Sequence, residues 1–215
     1  MALQQIPTLD QLQQYNVNRA GSIEAVRSSL YDFQAYAAAG QTSLTFFQTP
    51  IGQGGKTKAD TNMEAAGSLP APKQFLVESI ECYFFPGSAV DTFNAVAAAN
   101  KAQADDVYTV MQSGYLDFFI GSKSYLTEAP IGRFPPCTGM KLETSLSTNS
   151  GTVGEVKSEY ATFGGLVYKL SPEILLVPTQ NFNITLNWPT AVGLPSTIAG
   201  RIGIVLKGIL YRNSQ

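Results

Sequence analysis

Few residues in this chain are able to do chemistry, and their spacing rules out most enzyme classes. There is no histidine. Acyl transfer through Ser-His-Asp or Cys-His arrangements needs an imidazole to carry the proton, and His-rich zinc sites need one as a ligand. Both classes are excluded together, and with them the cupin type of metal site. The two cysteines, Cys82 and Cys137, are far apart, so they spell neither a disulfide framework nor a metal knuckle. Cys82 lies in an apolar run and reads as a buried thiol.

The segment Pro50-Ile-Gly-Gln-Gly-Gly-Lys-Thr57 looks like a phosphate loop. Such a loop needs glycine where Pro50 stands, and then a helix whose N-terminus meets the phosphate. Lys58-Ala-Asp-Thr-Asn, followed by Pro70 and Pro72, makes a poor helix. The stretch therefore reads as a flexible Gly-rich loop, and no nucleotide or other cofactor is expected. A glycosidase would need two carboxylates facing one cleft. Glu78 and Glu81, three apart on an expected strand, should point to opposite faces. Asp105-Asp106 suits the start of a helix and lacks the alternating acidic loop of a calcium site. Asp117, Glu128 and Glu143 stand alone. Trp188 has the ring to stack on a sugar, yet it shares parity with Phe182, Ile184 and Leu186 and so belongs with a core. No enzyme and no metal site is expected.

The elements that must carry these residues read mainly as strands. The clearest is the stretch from Arg201 to Arg212, where Ile202, Ile204, Leu206 and Leu210 share one parity. A period of two sends them to one face of a strand, expected to be central and laid down last. Residues 74–85 are apolar on both parities and also read as central. Residues 182–188 alternate strictly, and residues 115–126 form a hairpin bent at Gly121-Ser122. Further strands are expected at 41–48, 160–170 and 174–177, with polar loops over 52–72 and 145–154. Two helices are expected before the first of these strands. One follows the capping box at Thr8. The other runs from Ser22, with Ile23, Val26, Leu30, Phe33 and Ala37 at spacings of three and four and Gly40 ending it. An inserted helix is expected from Ser88 to about Gln103, with Val90, Phe93, Val96 and Ala97 on its buried side. The whole is an antiparallel β-sandwich, a jelly roll of about eight strands over 43–215, preceded by a helical arm over 1–42.

Composition bears on partners. Charged residues make up only 14% of the chain and the net charge is −2, against ~25% charged in ordinary domains. Clustered Lys and Arg, the footprint of nucleic-acid binding, are missing. No apolar run reaches the ~18 residues of a membrane span, and the first residues lack the plan of a secretory leader. For that reason the glycosylation sequon at Asn183-Ile-Thr185 is discounted, and the chain is expected to be made in a cytoplasm.

In pattern, the chain resembles jelly-roll virion structural proteins of bacteriophages, either small capsid proteins or the cement proteins that decorate a shell. The resemblance is carried by the low charge, by Gly114-Tyr-Leu-Asp-Phe-Phe-Ile-Gly-Ser-Lys-Ser-Tyr-Leu-Thr-Glu-Ala-Pro130 with Phe134-Pro-Pro136, and by the long closing strand. It implies a structural protein of the virion that self-assembles, with a trimer the simplest oligomer, and that contacts other capsid proteins. The arm stripe Ile23, Val26, Leu30, Phe33 and Ala37 then supplies the candidate assembly contacts on a neighbouring subunit. Two other readings stay open: a carbohydrate- or receptor-binding jelly-roll module, and a carboxylate-based glycoside hydrolase.

Overall fold

The computed structural model describes residues 23–87, 98–136, 138–148, 155–164 and 166–213. Eight strands form two four-stranded antiparallel sheets. The first sheet has the order β1 (Ile23–Tyr36), β10 (Gly200–Asn213), β3 (Gln74–Phe85), β8 (Tyr168–Leu176). The second has the order β2 (Ser43–Phe46), β9 (Phe182–Asn187), β4 (Tyr115–Ile120), β5 (Lys123–Pro130). A separate hairpin pairs β6 (Thr138–Thr148) with β7 (Glu155–Gly164). Among the described residues one helix, α1 (Ala98–Ser113), precedes β4, and a 3-10 turn at Ile131–Arg133 follows β5. No helix among the described residues is long and apolar enough to cross a membrane.

Alternation decides which faces meet. Ile202, Ile204 and Leu206 of β10 are fully buried, and so are Ile80 and Phe84 beside them on β3. From the other sheet come Phe182, Ile184 and Leu186 of β9 with Leu116 and Phe118 of β4. These side chains form one continuous core between the sheets. Trp188 continues the β9 face inward: its Nε1–H donates to the Val110 carbonyl of α1 at 3.2 Å, and its ring meets Tyr36 edge-on. Helix α1 reaches the same core through Val107 and Val110.

The closing strand lies where expected, between β1 and β3. Several expectations are corrected. Residues from Ile23 to Tyr36 are strand, not helix, and pair with β10 along their whole length. The sandwich therefore begins at Ile23, inside the stretch expected to be a helical arm. Gly40, expected to end that helix, instead turns the chain after β1: it has φ +88° and donates its N–H to Ala37. Residues 145–148, expected to open a polar loop, belong instead to strand β6. The described helix lies over 98–113, so Asp105-Asp106 sits within it and does not start it. The helix expected at Thr8, and Val90, Phe93, Val96 and Ala97 of the inserted one, lie outside the described residues.

Candidate functional site

Between β2 and β3 the chain runs over the outer edge of β1, and this crossing builds a charged constellation beside a cleft. The Gly-rich segment closes on itself first. Gly52 N–H donates to the Lys56 carbonyl at 2.9 Å and Lys56 N–H to the Gln53 carbonyl at 3.0 Å. Gly54 and Gly55 adopt φ of +56° and +77° to make the bend, a region costly to residues with a Cβ. The chain then docks on the β1 edge. Phe33 N–H donates to the Asp60 carbonyl at 2.7 Å. Asn62 clamps the strand with both ends of its amide: its Oδ1 accepts from Tyr31 N–H, and its Nδ2 donates to the Ser29 carbonyl. An exposed edge strand is a template for unwanted pairing, and over residues 29–33 this segment covers it.

Asp32 anchors the crossing. Its side chain is fully buried on the inner side of β1, where it accepts Phe47 N–H at 2.6 Å and the Lys56 ammonium. Burial raises its carboxyl above the ordinary 3.8, with Lys56 and the Phe47 amide pulling the other way. Phe47 has φ +69°, so the carboxylate fixes a residue in an unfavourable backbone region. Asp60 has the opposite electrostatics. The Thr57 N–H and hydroxyl both donate to its Oδ2, and Arg201 bonds its Oδ1 at 2.8 Å. The Thr57 contacts first, and then Arg201 and Lys56, hold its carboxyl below 3.8.

Above these groups opens a cleft of about 570 Å³, bordered by Phe33 and Ala35 of β1, Gln41, Gly54, Lys56 and Arg201 among others. Arg201 lies over the Phe33 ring at 4.6 Å. Beneath that ring is Gly203, where any Cβ would stand 2.0 Å from the Phe33 side chain, so the strand partner must be glycine for the ring to lie flat. Both cations on the cleft carry a carboxylate, Lys56 on Asp32 and Arg201 on Asp60. The cleft is polar without excess charge, and Lys56 is engaged where a phosphate loop would leave its lysine for the nucleotide. The chain after Thr57 turns onto β1 and is not helix.

The other residues singled out from the sequence are spread over the fold. Glu78 and Glu81 were expected on opposite faces. A bulge between Val77 and Ser79 brings both to the outer face of the first sheet, where Glu78 pairs with Arg27 at 2.9 Å and Glu81 with Lys207 at 2.6 Å. Asp117 ties β4 to its neighbours, accepting Glu128 N–H and Asn187 Nδ2–H. Asp106 is buried and accepts Ser196 N–H at 2.8 Å. Cys82 is buried, and burial pushes its thiol pKa up, away from reactivity. Side chains of Glu143 and Cys137 lie outside the described residues. Among the described residues no cluster of His, Cys, Asp and Glu is arranged to hold a metal.

The expected assembly stripe is divided by the strand. Leu30 is 7% exposed and sits in the protein's own core. Val26 shares that inward parity and is half-buried, Phe33 lies on the outer face under Arg201, and Ala37 is exposed beyond the strand end. The Ile23 side chain lies outside the described part. Sequence reasoning missed Asp32, Asp60 and Arg201. The one available signal was an acid, Asp32, standing among the apolar residues of β1.

Set against protein-family models, curated proteins and solved structures, the chain matches none.

Proposed function

We propose that this chain is a jelly-roll subunit of a virus particle, of the bacteriophage type, which self-assembles and contacts neighbouring capsid proteins without performing chemistry. The observation that carries the reading is the strand order. Apart from the β4–β5 hairpin, the sandwich strands alternate along the chain between two sheets ordered β1-β10-β3-β8 and β2-β9-β4-β5, the interleaving expected of eight strands rolled up as two Greek keys, an architecture frequent in viral capsids and lectins. Composition supports the same direction. With charged residues at 14%, the surface suits burial against neighbours, because interface cores are depleted of charge. The described acids nearest the cleft, Asp32 and Asp60, are each committed to a cation.

The test is native mass spectrometry of the full chain at micromolar concentration, with electron microscopy of the same sample. A closed symmetric oligomer, most simply a trimer, or shell-like particles is the expected result. A monomer at every concentration, without particles, refutes the reading. A carbohydrate- or receptor-binding module is the second reading. Its support is the aromatic pair on the outer face, Tyr83 stacked on Phe85 with centroids 6.0 Å apart and Phe85 38% exposed. A glycan array separates the two, since a shell subunit should leave it blank.

A further inference from the structure

Strand β1 is an edge strand, and its outer hydrogen-bonding groups can be accounted for one by one. In an antiparallel ladder a residue sends its N–H and C=O to the same side. Tyr31 N–H goes to Asn62, and the Tyr31 carbonyl accepts from the Thr61 hydroxyl. Phe33 N–H goes to the Asp60 carbonyl. The register with β10 runs unbroken to Tyr36, so the Phe33 carbonyl and both backbone groups of Ala35 face the same way. Among the described residues nothing meets them, and Ala35 is exposed. They open into the cleft of about 570 Å³. Its walls offer complementary groups: the Gly54 and Gly55 amides have no partner among the described residues, and neither has the Gln41 side-chain oxygen.

A row of unpaired strand groups at the floor of a polar cleft is the receptor half of β-strand addition. We propose that this cleft takes an extended peptide, paired to Phe33 and Ala35 as a short added strand, and that the peptide is the N-terminal segment of a second copy of this chain. The proposal rests on the self-assembly reading above and names where one contact would lie. Charge supports the choice of occupant. The cleft cations are neutralised within the protein by Asp32 and Asp60, so the cleft favours an uncharged polar chain. Residues 1–22 include Gln4, Gln5, Gln11, Gln13, Gln14, Asn16 and Asn18, against Asp10 and Arg19 as the charged side chains. The path favours the second copy. Ile23 and Ala35 are separated by ~40 Å of strand at ~3.3 Å per residue. A segment returning along its own β1 would meet residues 60–62, which already occupy that edge at the Asp32–Thr61 bridge. A segment from a neighbour enters from the open end.

Ala35→Pro tests the proposal on the full chain. It removes the N–H on the side away from β10, where an edge strand tolerates proline. Oligomer mass against concentration should shift at least tenfold toward dissociated chains, with the melting temperature little changed. A synthetic peptide of residues 1–22 in excess should dissociate the wild-type oligomer. If Ala35→Pro fails to melt cooperatively, the peptide competition decides, together with slowed hydrogen exchange of the Ala35 amide on assembly. An oligomer indifferent to both the substitution and the peptide overturns this site while leaving self-assembly in place. A wild-type chain that stays monomeric overturns both. An Ala35 amide equally protected at all dilutions places the segment on its own chain and also refutes the proposal.

Discussion

Removing the Asp32 carboxylate should be among the most damaging single changes on the inner side of β1. In Asp32→Ala two partners are abandoned together. The Phe47 amide loses its acceptor in a buried setting, a loss of ~1–3 kcal/mol. The Lys56 side chain, only 14% exposed, loses its bonded counterion, and breaking a buried pair from one side costs ~3–5 kcal/mol in measured cases. Lysine is flexible and reaches water by swinging out, so the two penalties should not add in full, and ~3–5 kcal/mol is expected for the substitution as a whole. Lys56→Met should cost less, because the acid left behind can take up a proton. The assay is urea unfolding of the wild type, both single variants and the double variant. The double variant should be less damaged than the sum of the singles, with a coupling of at least ~1 kcal/mol. A cost for Asp32→Ala below ~1 kcal/mol, or strict additivity, would show that the pair does not hold the crossing segment on the sheet.

Further outcomes follow from packing and titration. Leu206→Ala, at a fully buried site in the central strand, should cost ~2–5 kcal/mol in chemical denaturation; under ~1 kcal/mol would contradict its place in the core. Gly208→Ala would put a Cβ 1.8 Å from the Leu76 carbonyl oxygen, so β3 and β10 must part locally. A loss of ~3 kcal/mol or more is expected, at the upper end for overpacking, and an unchanged melting temperature would refute the close approach. Carboxyl NMR should show Asp32 titrating above 3.8 and Asp60 below it. The folded state thus binds the Asp32 proton more tightly than the unfolded chain does. The stability contribution of Asp32 should grow as pH falls from its raised value to 3.8, whereas that of Asp60, present above 3.8, should be lost as pH falls through its lowered value. Both groups titrating at 3.8 would contradict this electrostatic account.

Strands β9 and β10 were legible because each keeps a clean apolar register, β3 because it is apolar on both parities across its bulge, and Trp188 was placed correctly by parity alone. Strand β1 was not. Its inward positions include Leu30 and Tyr36, but Asp32 lies between them, and a carboxylate there breaks the period of two. The remaining apolar residues happen to fall at helical spacing. The acid is tolerated because Lys56 and the Phe47 amide meet it, and neither is visible from local sequence. Strand β6, rich in Ser and Thr, carries a loop-like composition and is held by pairing with β7. The cleft escaped for a similar reason. Arg201 and Asp60 stand 141 residues apart, and only the path of the chain over the β1 edge brings them together.

The pairing of β1 with β10 also bears on how the protein is made. Glu24 and Arg212, bonded across that ladder, are 188 residues apart. Closing a loop of this size costs on the order of 4–5 kcal/mol of chain entropy, recovered only when the neighbouring contacts form with it. Of the sandwich's described strands, β10 is the last in chain order, yet it occupies the middle of its sheet, so β1 and β3 must wait with their facing edges unpaired. No N-terminal portion of this sandwich can complete the first sheet. Folding should accordingly be slow and all-or-none, with the interval before β10 arrives the time of greatest exposure to aggregation. Such a delay also keeps nascent chains from presenting a finished β1 edge to one another before each sandwich is whole.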